Sequence, residues 1–189
     1  MSQEHPIPKP SEPAPDSLQR TILRWIREIL ETILPALLIV LVVNLFLAQA
    51  TRVEGQSMEP NLHNNQRLII EKISYHFHPP RRGDIVVIKL PDRHSDPLIK
   101  RVVGLPGETI EIRDGHVYIN GQMLEEPYLH QLTYGNIAPH VIAPGHVFVL
   151  GDNRGASNDS RSFGEVKISY IVGRAWFRYW PLDEIGFVR

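Results

Sequence analysis

Ser57 and Lys100 are the two residues whose types and surroundings could together perform nucleophilic chemistry. Ser57 lies in "VEGQSMEPNL", a few residues after the longest apolar run of the chain. A serine hydroxyl is a weak nucleophile and needs a base nearby. The stretch "GQSME" lacks the second glycine of the hydrolase elbow, and no histidine is an obvious member of a conventional triad. The other base known to activate serine is lysine.

Lys100 is the lysine in the most suitable setting. The ordinary pKa of lysine is about 10.4, so the amine must be desolvated before it can accept a proton near neutral pH. In "PLIKRVVGLPGE" the alternation of a strand places Leu98 and Val102 on the face of Lys100, which is an apolar environment. Lys100 is therefore the candidate base for Ser57.

Composition and charge exclude several other kinds of site. The 189 residues contain no cysteine, which excludes a disulfide framework, a thiolate metal site and a cysteine nucleophile. The formal net charge is −1 and basic residues are not concentrated on one predicted element, so we expect no nucleic-acid partner. His76 and His78 are close neighbours, but no carboxylate-rich motif accompanies them. We expect no metal and no cofactor.

The first 50 residues predict a tail followed by a membrane anchor. Residues 1–17 are rich in proline and poor in apolar residues, which is typical of a disordered tail. Residues 18–50 combine an amphipathic lead-in with the uncharged run "ILPALLIVLVVNLFLAQA" of residues 33–50. As a helix this run would measure roughly 27 Å, close to the thickness of a hydrocarbon core.

A cleaved signal peptide is an alternative interpretation of the same run. Basic residues precede it, and Ala48-Gln49-Ala50 has the small-x-small form of a cleavage site. A buried soluble helix is disfavoured because every face of the run is apolar. The run is longer than the usual apolar region of a signal peptide and a long tail precedes it, so we favour a permanent single-span anchor.

The charges beside the run predict the orientation of this single-pass membrane protein. Basic residues favour the cytoplasmic side, which places the N-terminus and the tail there. Everything after Arg52 would then lie on the far side, in a periplasm, a thylakoid lumen or the cell exterior. The arginines that carry this prediction are Arg20, Arg24 and Arg27.

Residues 51–189 predict an all-β catalytic domain of coiled antiparallel sheets. Asp114-Gly115 lies between two alternating strands and is a strong hairpin signal, and Asn120-Gly121 predicts a further turn. No long amphipathic pattern interrupts the strands, which favours an all-β fold. The β-branched runs between turn residues are "RLIIEKI", "DIVVIKL", "LIKRVVGL", "TIEIRDGHVYING" and "HVFVLGD".

Four segments together resemble the type I signal peptidases, in order and at plausible spacing. They are "GQSMEPNL", "RRGDIVVIKLP", "IKRVVGLPGE" and "GDNRGASNDSRSFG". The first would be a weak signal alone, whereas the last, downstream of the third, is very specific. The resemblance covers roughly residues 33–189, and the small size is similar to the short bacterial, cyanobacterial and plastid forms.

The resemblance implies the role of each motif residue. Ser57 would be the nucleophile, with its backbone amide in the oxyanion hole, and Lys100 the general base. Some relatives have a serine two residues before the nucleophile as the second oxyanion donor, where this chain has Gly55, so a backbone group or a water would replace it. Ser157 would orient the lysine. Asp159 and Arg161 would support the site by an ion pair near Arg101, within a box that contains Gly151, Asp152 and Asn153.

The resemblance also implies the substrates and partners. They would be membrane lipid and exported precursor proteins, which the family cuts after signal peptides with small residues at −1 and −3. Shallow pockets reject large side chains by steric clash, and Val53 and Ile99 would line the −1 pocket.

Two other functions are compatible with a serine and lysine dyad. A self-cleaving DNA-binding regulator shares part of the expected fold, but an apolar span stands where its helix-turn-helix module should be. A membrane-anchored binding protein without catalysis is disfavoured by the intact Ser57, Lys100 and Ser157. Ala48-Gln49-Ala50 has the form of the enzyme's own substrate, so we also expect slow trimming after Ala50 by a second molecule.

Overall fold

The structure is a computed structural model that describes residues 18–43, 47–91 and 97–188. The tail expected at residues 1–17 lies outside these residues. The chain divides into two compact units, with the boundary between Leu41 and Val42.

The described part of the first unit is the helix α1 (Leu18–Val42), whose last residue, Val42, is counted with the second unit. Apolar side chains are exposed along its length, as at Leu23, Leu30 and Leu37. Among the helices in the described part of the chain, none is long and apolar enough to cross a membrane. The uncharged run of residues 33–50 does not continue as one helix, because α1 ends at Val42 and a strand begins at Ala48.

The described part of the second unit consists of strands with a few single helical turns. The short helices are α2 (Ser74–Phe77) and α3 (Ser160–Phe163), and 3-10 turns cover Arg154–Ala156, Ile168–Tyr170 and Leu182–Glu184. The strands are β1 (Ala48–Arg52), β2 (Arg67–Glu71), β3 (Ile85–Ile88), β4 (Leu98–Gly104), β5 (Thr109–Arg113), β6 (His116–Ile119), β7 (Gln122–Met123), β8 (Ile137–Val141), β9 (His146–Leu150), β10 (Val166–Lys167), β11 (Ile171–Trp180) and β12 (Gly186–Phe187).

The larger sheet has the strand order β1-β2-β11-β3-β4-β9-β10, and β12 pairs with β11. Its described pairings are antiparallel. Register shifts interrupt the pairing of β11 with β2 and β3 and of β4 with β9. Such irregularities bend strands and increase their twist, so they account for a curled sheet. The predicted antiparallel β domain is confirmed.

The smaller sheet has the strand order β7-β6-β5-β8 and contains the predicted hairpins. Asp114 and Gly115 connect β5 to β6 with φ values of 51° and 79°. Asn120 and Gly121 connect β6 to β7 with φ values of 51° and 78°. Positive φ at both central residues is the conformation that Asx-Gly pairs adopt in tight hairpins, so both predicted turns are confirmed.

Strand β4 lies between apolar clusters and positions Lys100. Ile99 belongs to a cluster with Val53, whereas Val102 packs with residues of β3 and β9. Val103 belongs to the core beneath the smaller sheet. A strand whose side chains are buried on both faces holds any polar residue along it in a fixed position.

The boundary expected at residue 50 differs from the structure. Ala48–Arg52 pair with β2 over five residues, from Ala48 opposite Glu71 to Arg52 opposite Arg67, so Ala48-Gln49-Ala50 belongs to the larger sheet. The segment "AQATR" has no β-branched run that would predict a strand. Its conformation follows from the backbone groups of β2, which need a partner on that side.

Candidate active site

Ser57 and Lys100 are in direct contact. The Lys100 Nζ donates a hydrogen bond to the Ser57 Oγ over 2.7 Å and a second one to the Ile99 carbonyl over 2.9 Å. Lys100 projects from the centre of β4, where it pairs opposite Val86 of β3, and Ser57 lies in the loop that follows β1. The structure thus brings the candidate nucleophile and the candidate base within proton-transfer distance.

Burial changes the acidity of the Lys100 amine. Lys100 is 2% exposed. This burial lowers the pKa of Lys100 from 10.5 to about 8, although the charges of Asp159 and Asp152 act in the opposite direction. An amine with this pKa is neutral in about a tenth of the molecules at pH 7 and in about half at pH 8, and only the neutral form accepts a proton.

The loop around Ser57 is fixed by backbone contacts. The Ser57 carbonyl accepts a hydrogen bond from the Asn153 amide over 2.9 Å, which joins this loop to the segment after β9. Gly55 has a φ of 83°, and its own amide donates to the Asn64 Oδ1 over 3.0 Å. Space is open around the position of a Gly55 side chain, so the positive φ, not crowding, favours glycine here.

Gly151 lies where Ser57 and Ser157 come together. A side-chain carbon on Gly151 would collide with the Ser57 carbonyl and the Ser157 Oγ, so only glycine allows this approach. The Ser157 hydroxyl is near enough to Asp159 to help lower the pKa of that carboxyl, yet it has no hydrogen bond of good geometry. Among the described residues, the Ser157 Oγ is the buried side-chain oxygen or nitrogen left without such a partner.

Asp159 and Arg161 form the expected ion pair. The Arg161 Nε and Nη2 each lie 2.8 Å from a carboxylate oxygen of Asp159. Burial acts to raise the pKa of Asp159, but hydrogen bonds from Arg161 and from the Gly151 amide outweigh it and hold the pKa below its usual value. Asp159 also caps α3, where its side chain accepts from the Arg161 amide. The pair therefore fixes the start of α3 against Gly151.

Arg101 has a different carboxylate partner, Asp152. Its Nε and Nη2 donate to the two oxygens of Asp152 over 2.8 and 2.7 Å, and its Nη1 donates to the Gly83 carbonyl over 2.9 Å. Both side chains are almost fully buried. Two parallel bonds between a guanidinium and a carboxylate are the strongest geometry available to such a pair. Arg101 thereby ties β4 to the segment after β9.

Val53 and Ile99 belong to the same buried cluster. They are 2% and 7% exposed, and Met58 and Leu62 are further members of the cluster. Because Ile99 precedes Lys100 and Val53 precedes the Ser57 loop, this apolar cluster is adjacent in sequence to both reactive residues.

Several residues of the site region were missed by the sequence reasoning. The Asn61 Nδ2 donates to the Asp152 Oδ2 over 2.9 Å. Tyr128 covers Arg101, with 4.0 Å between the guanidinium carbon and the ring centroid. The buried Arg154 forms an ion pair with Glu126 and donates to the Gly151 carbonyl. A buried polar residue far along the chain from its partners gives no local sequence signal, apart from the short "GDNR" segment around Arg154.

Comparisons with known proteins agree on one family. The family model that matches residues 26–180 is that of signal peptidase, peptidase S26. The signal peptidase I of Leptolyngbya laminosa is 40% identical over 195 residues, which cover 98% of this chain and 96% of the relative. The signal peptidase I of Bacillus caldolyticus is 40% identical over 166 residues, 80% of this chain and 90% of the relative. The chloroplastic thylakoidal processing peptidase 1 of Arabidopsis thaliana is 37% identical over 150 residues, 74% of this chain and 44% of the relative.

Proposed function

The chain belongs to the signal peptidase family, peptidase S26, and from that premise we propose that it removes signal peptides from exported precursors with a dyad of Ser57 and Lys100. The observation that carries the proposal is the 2.7 Å contact between the Lys100 Nζ and the Ser57 Oγ. Burial of Lys100 supports it, since an uncharged amine is what a general base requires.

The proposed reaction proceeds through an acyl-enzyme. The Ser57 Oγ attacks the carbonyl carbon of the scissile bond while the Lys100 Nζ takes the hydroxyl proton. The resulting ammonium gives this proton to the nitrogen of the departing mature protein, and the carbon–nitrogen bond breaks. Lys100, neutral again, then accepts a proton from the water that hydrolyses the ester, and Ser57 recovers its hydroxyl proton.

The proposed oxyanion hole begins with the Ser57 amide. One such donor is commonly worth about 2.7–4 kcal/mol of transition-state stabilisation. Gly55 has no hydroxyl, and its amide donates to Asn64, so we do not assign the second donor to Gly55. We assign the second donor to a water or to another backbone group that the bound substrate orders.

Ser157, with Asp159 and Arg161, is proposed to orient the base. A neutral lysine amine has two protons, and the Ile99 carbonyl accepts one of them. The unsatisfied Ser157 Oγ is a suitable acceptor for the other once Ser57 donates to the Nζ lone pair. The ion pair of Asp159 with Arg161 would hold the segment of Ser157 in place.

We further propose that Val53 and Ile99 form the floor of the pocket for the −1 residue. Their packing against Met58 and Leu62 in one buried cluster supports this proposal, because a shallow apolar floor would reject large side chains by steric clash. An extended substrate segment would lie as an added strand beside the site, so that its backbone supplies affinity and its −1 and −3 side chains supply specificity.

Anchoring to a membrane by the segment that begins at residue 18, after the tail, completes the proposal. Because β1 begins at Ala48, the anchor would end before that residue, and exposed apolar side chains along α1 would face lipid. Arg20, Arg24 and Arg27 favour a cytoplasmic N-terminus, with the catalytic domain on the far side. The thylakoidal name of the Arabidopsis relative supports a location at a membrane. Resistance of the full chain to alkaline extraction from membranes would test the anchor.

The test of the proposed function is cleavage of a purified exported precursor by the full chain in detergent. We expect one cut after a signal peptide with alanine at −1 and −3, and no cut when −1 is replaced by a large residue. Ser57→Ala should be inactive although folded. If Ser57→Ala releases the same mature protein at a comparable rate, the proposed nucleophile is wrong.

A further inference from the structure

Tyr128 contacts the Ser57–Lys100 region without being one of the reactive residues. Its ring packs against the Arg101 guanidinium, with 4.0 Å from the guanidinium carbon to the ring centroid. Its carbonyl accepts a hydrogen bond from the Asn61 Nδ2 over 3.0 Å, and its hydroxyl donates to the Glu126 Oε1 over 2.7 Å. One residue therefore uses its ring, its backbone and its hydroxyl for three separate polar contacts.

Two of these contacts converge on Asp152. Arg101 donates to both carboxylate oxygens of Asp152, and the Asn61 amide that binds Tyr128 also donates to the Asp152 Oδ2 over 2.9 Å. Tyr128 thus touches both side chains that hold Asp152 in place. A ring over a desolvated guanidinium stabilises it electrostatically and keeps water away from its bonds.

The contact of the Tyr128 hydroxyl with Glu126 leads to the residues on either side of Asp152. Glu126 accepts from the buried Arg154 through both oxygens, over 3.2 and 2.5 Å. The Arg154 Nε donates to the Gly151 carbonyl over 3.1 Å. In the segment of residues 151–154, Arg101 and Asn61 therefore hold Asp152, and Arg154 holds Gly151.

This segment connects directly to both reactive residues. The amide of Asn153, next to Asp152, donates to the Ser57 carbonyl over 2.9 Å. Arg101, on the other side of the ion pair, follows Lys100 in β4. A shift of Arg101 against Asp152 would therefore change the distance between the Ser57 Oγ and the Lys100 Nζ.

We propose that Tyr128 is a positioning residue for the Ser57–Lys100 pair, which it aligns by clamping Arg101 and Asn61 onto Asp152. The inference rests on the proposed dyad and concerns a residue 28 positions beyond Lys100 in the chain. The ring is the essential part, because it covers the guanidinium. The hydroxyl serves the more distant contact with Glu126.

The expected consequence of losing the ring is a change in turnover and in its pH dependence. Misalignment of nucleophile and base lowers kcat, whereas KM depends on the substrate pocket and should change little. Water reaching the Arg101–Asp152 pair would also lessen the desolvation of the neighbouring Lys100, which is the main cause of its lowered pKa. The pKa of Lys100 should therefore rise, and the acidic limb of kcat/KM should move to higher pH.

The experiment compares Tyr128→Leu, Tyr128→Phe and wild type in precursor cleavage between pH 6 and pH 10. Tyr128→Leu should lose about tenfold in kcat, with little change in KM and a higher pH midpoint. Tyr128→Phe keeps the ring over Arg101 and should keep the wild-type midpoint. If Tyr128→Leu does not fold, Tyr128→Met, with an unbranched side chain that can fill the same space, replaces it.

A matched control is available in the smaller sheet. Tyr118 covers Arg113 at the same 4.0 Å separation but has no link to Asp152, so Tyr118→Leu should leave both kcat and the pH midpoint unchanged. A folded Tyr128→Leu or Tyr128→Met with the wild-type midpoint and kcat would overturn the inference. The inference would also be overturned if the loss of activity were proportional to the loss of folded protein and the pH midpoint of cleavage were unchanged. Failure of the dyad itself is distinguishable, because Lys100→Ala would then remain active.

Discussion

Lys100 and Arg101 are consecutive residues of β4, and both are almost completely buried. Their positive side chains nevertheless contact different groups on the two faces of the strand. Arg101 meets a carboxylate through two hydrogen bonds, a carbonyl through a third and an aromatic ring. The Lys100 amine meets one hydroxyl and one carbonyl. Burial without a carboxylate in contact lowers the pKa of Lys100 to about 8. Similar burial therefore leaves the Arg101 guanidinium charged, because it cannot release its proton near neutral pH and a carboxylate compensates its charge, whereas it leaves the Lys100 amine able to lose its proton.

Replacing Lys100 with arginine should have the largest effect of the changes considered, a loss of precursor cleavage. Lys100→Arg places a guanidinium where the proposed mechanism needs a proton acceptor, and a guanidinium cannot release its proton near neutral pH. We expect precursor cleavage to fall about 10⁴-fold or more, as for Lys100→Ala, because nucleophile and base act as one unit. Rates with purified full-length protein in detergent would measure this. Robust turnover by Lys100→Arg would remove the general-base assignment.

Removing the Arg101 guanidinium should lower the free energy of unfolding. Arg101→Met leaves the Asp152 carboxylate buried without its counter-charge, which typically costs about 3–5 kcal/mol of unfolding free energy. Urea denaturation would measure the loss. The control is Arg113→Met, since Arg113 pairs with Glu111 at 3.0 Å but is half exposed, and its loss should cost no more than about 1 kcal/mol. Equal losses in the two variants would contradict the comparison.

Removing the Lys100 charge should instead increase stability at neutral pH. The folded pKa of about 8 lies below the ordinary 10.5, so between these values the unfolded chain binds the proton that the folded chain has lost. The free energy of unfolding of the wild type therefore rises by about 3 kcal/mol between pH 8 and pH 10.5. Below pH 8 the folded protein carries the whole cost of burying a charged Lys100. Lys100→Met should lack this rise and be the more stable protein at pH 7.

Urea denaturation at pH 7, 9 and 10.5 would test this linkage. Lys89→Met, which removes a lysine from an exposed position, is the matched control and should follow the wild-type curve. If Lys100→Met is less stable than wild type at pH 7, the buried amine does not carry the cost inferred from its surroundings.

Ser157→Ala should have the smallest of these effects. The Ser157 Oγ is buried without a hydrogen-bond partner of good geometry, and the orienting bond proposed for it is worth about 10- to 100-fold in rate. We expect turnover to fall by that factor and not to vanish. Ser162→Ala, in the exposed part of α3, should be fully active. Full activity of Ser157→Ala would show that the orienting role belongs to another group, and inactivity equal to Ser57→Ala would show a larger role.

The strands were predictable because their signals are local. Alternating β-branched residues and the turn glycines of "TIEIRDGHVYING" specify β5 and β6 without reference to the rest of the chain. The setting of Lys100 was predictable for the same reason, since Leu98 and Val102 lie within two residues of it. The strand β1 was not, because its conformation depends on pairing with β2 and its own residues have little strand propensity.

The polar residues around Asp152 could not be predicted because their partners are distant in sequence. Asn61 is 91 residues from Asp152, and Glu126 is 28 residues from Arg154. A single sequence has no periodicity that relates positions so far apart.

The pairing of β1 with β2 would protect Ala48-Gln49-Ala50 from cleavage by other copies of the enzyme. Ala48-Gln49-Ala50 has the form that the proposed activity cleaves, but Ala50 is paired with Ile69 in the sheet, and a paired strand cannot enter another molecule's active site as an extended chain. Protection begins only when β2 has emerged and paired. Pairing of neighbouring strands takes about 1–10 μs, whereas synthesis adds about 5–20 residues per second. With the proposed activity, older copies would therefore cleave the chain mainly before β1 and β2 have paired, and afterwards only as often as β1 detaches from the sheet.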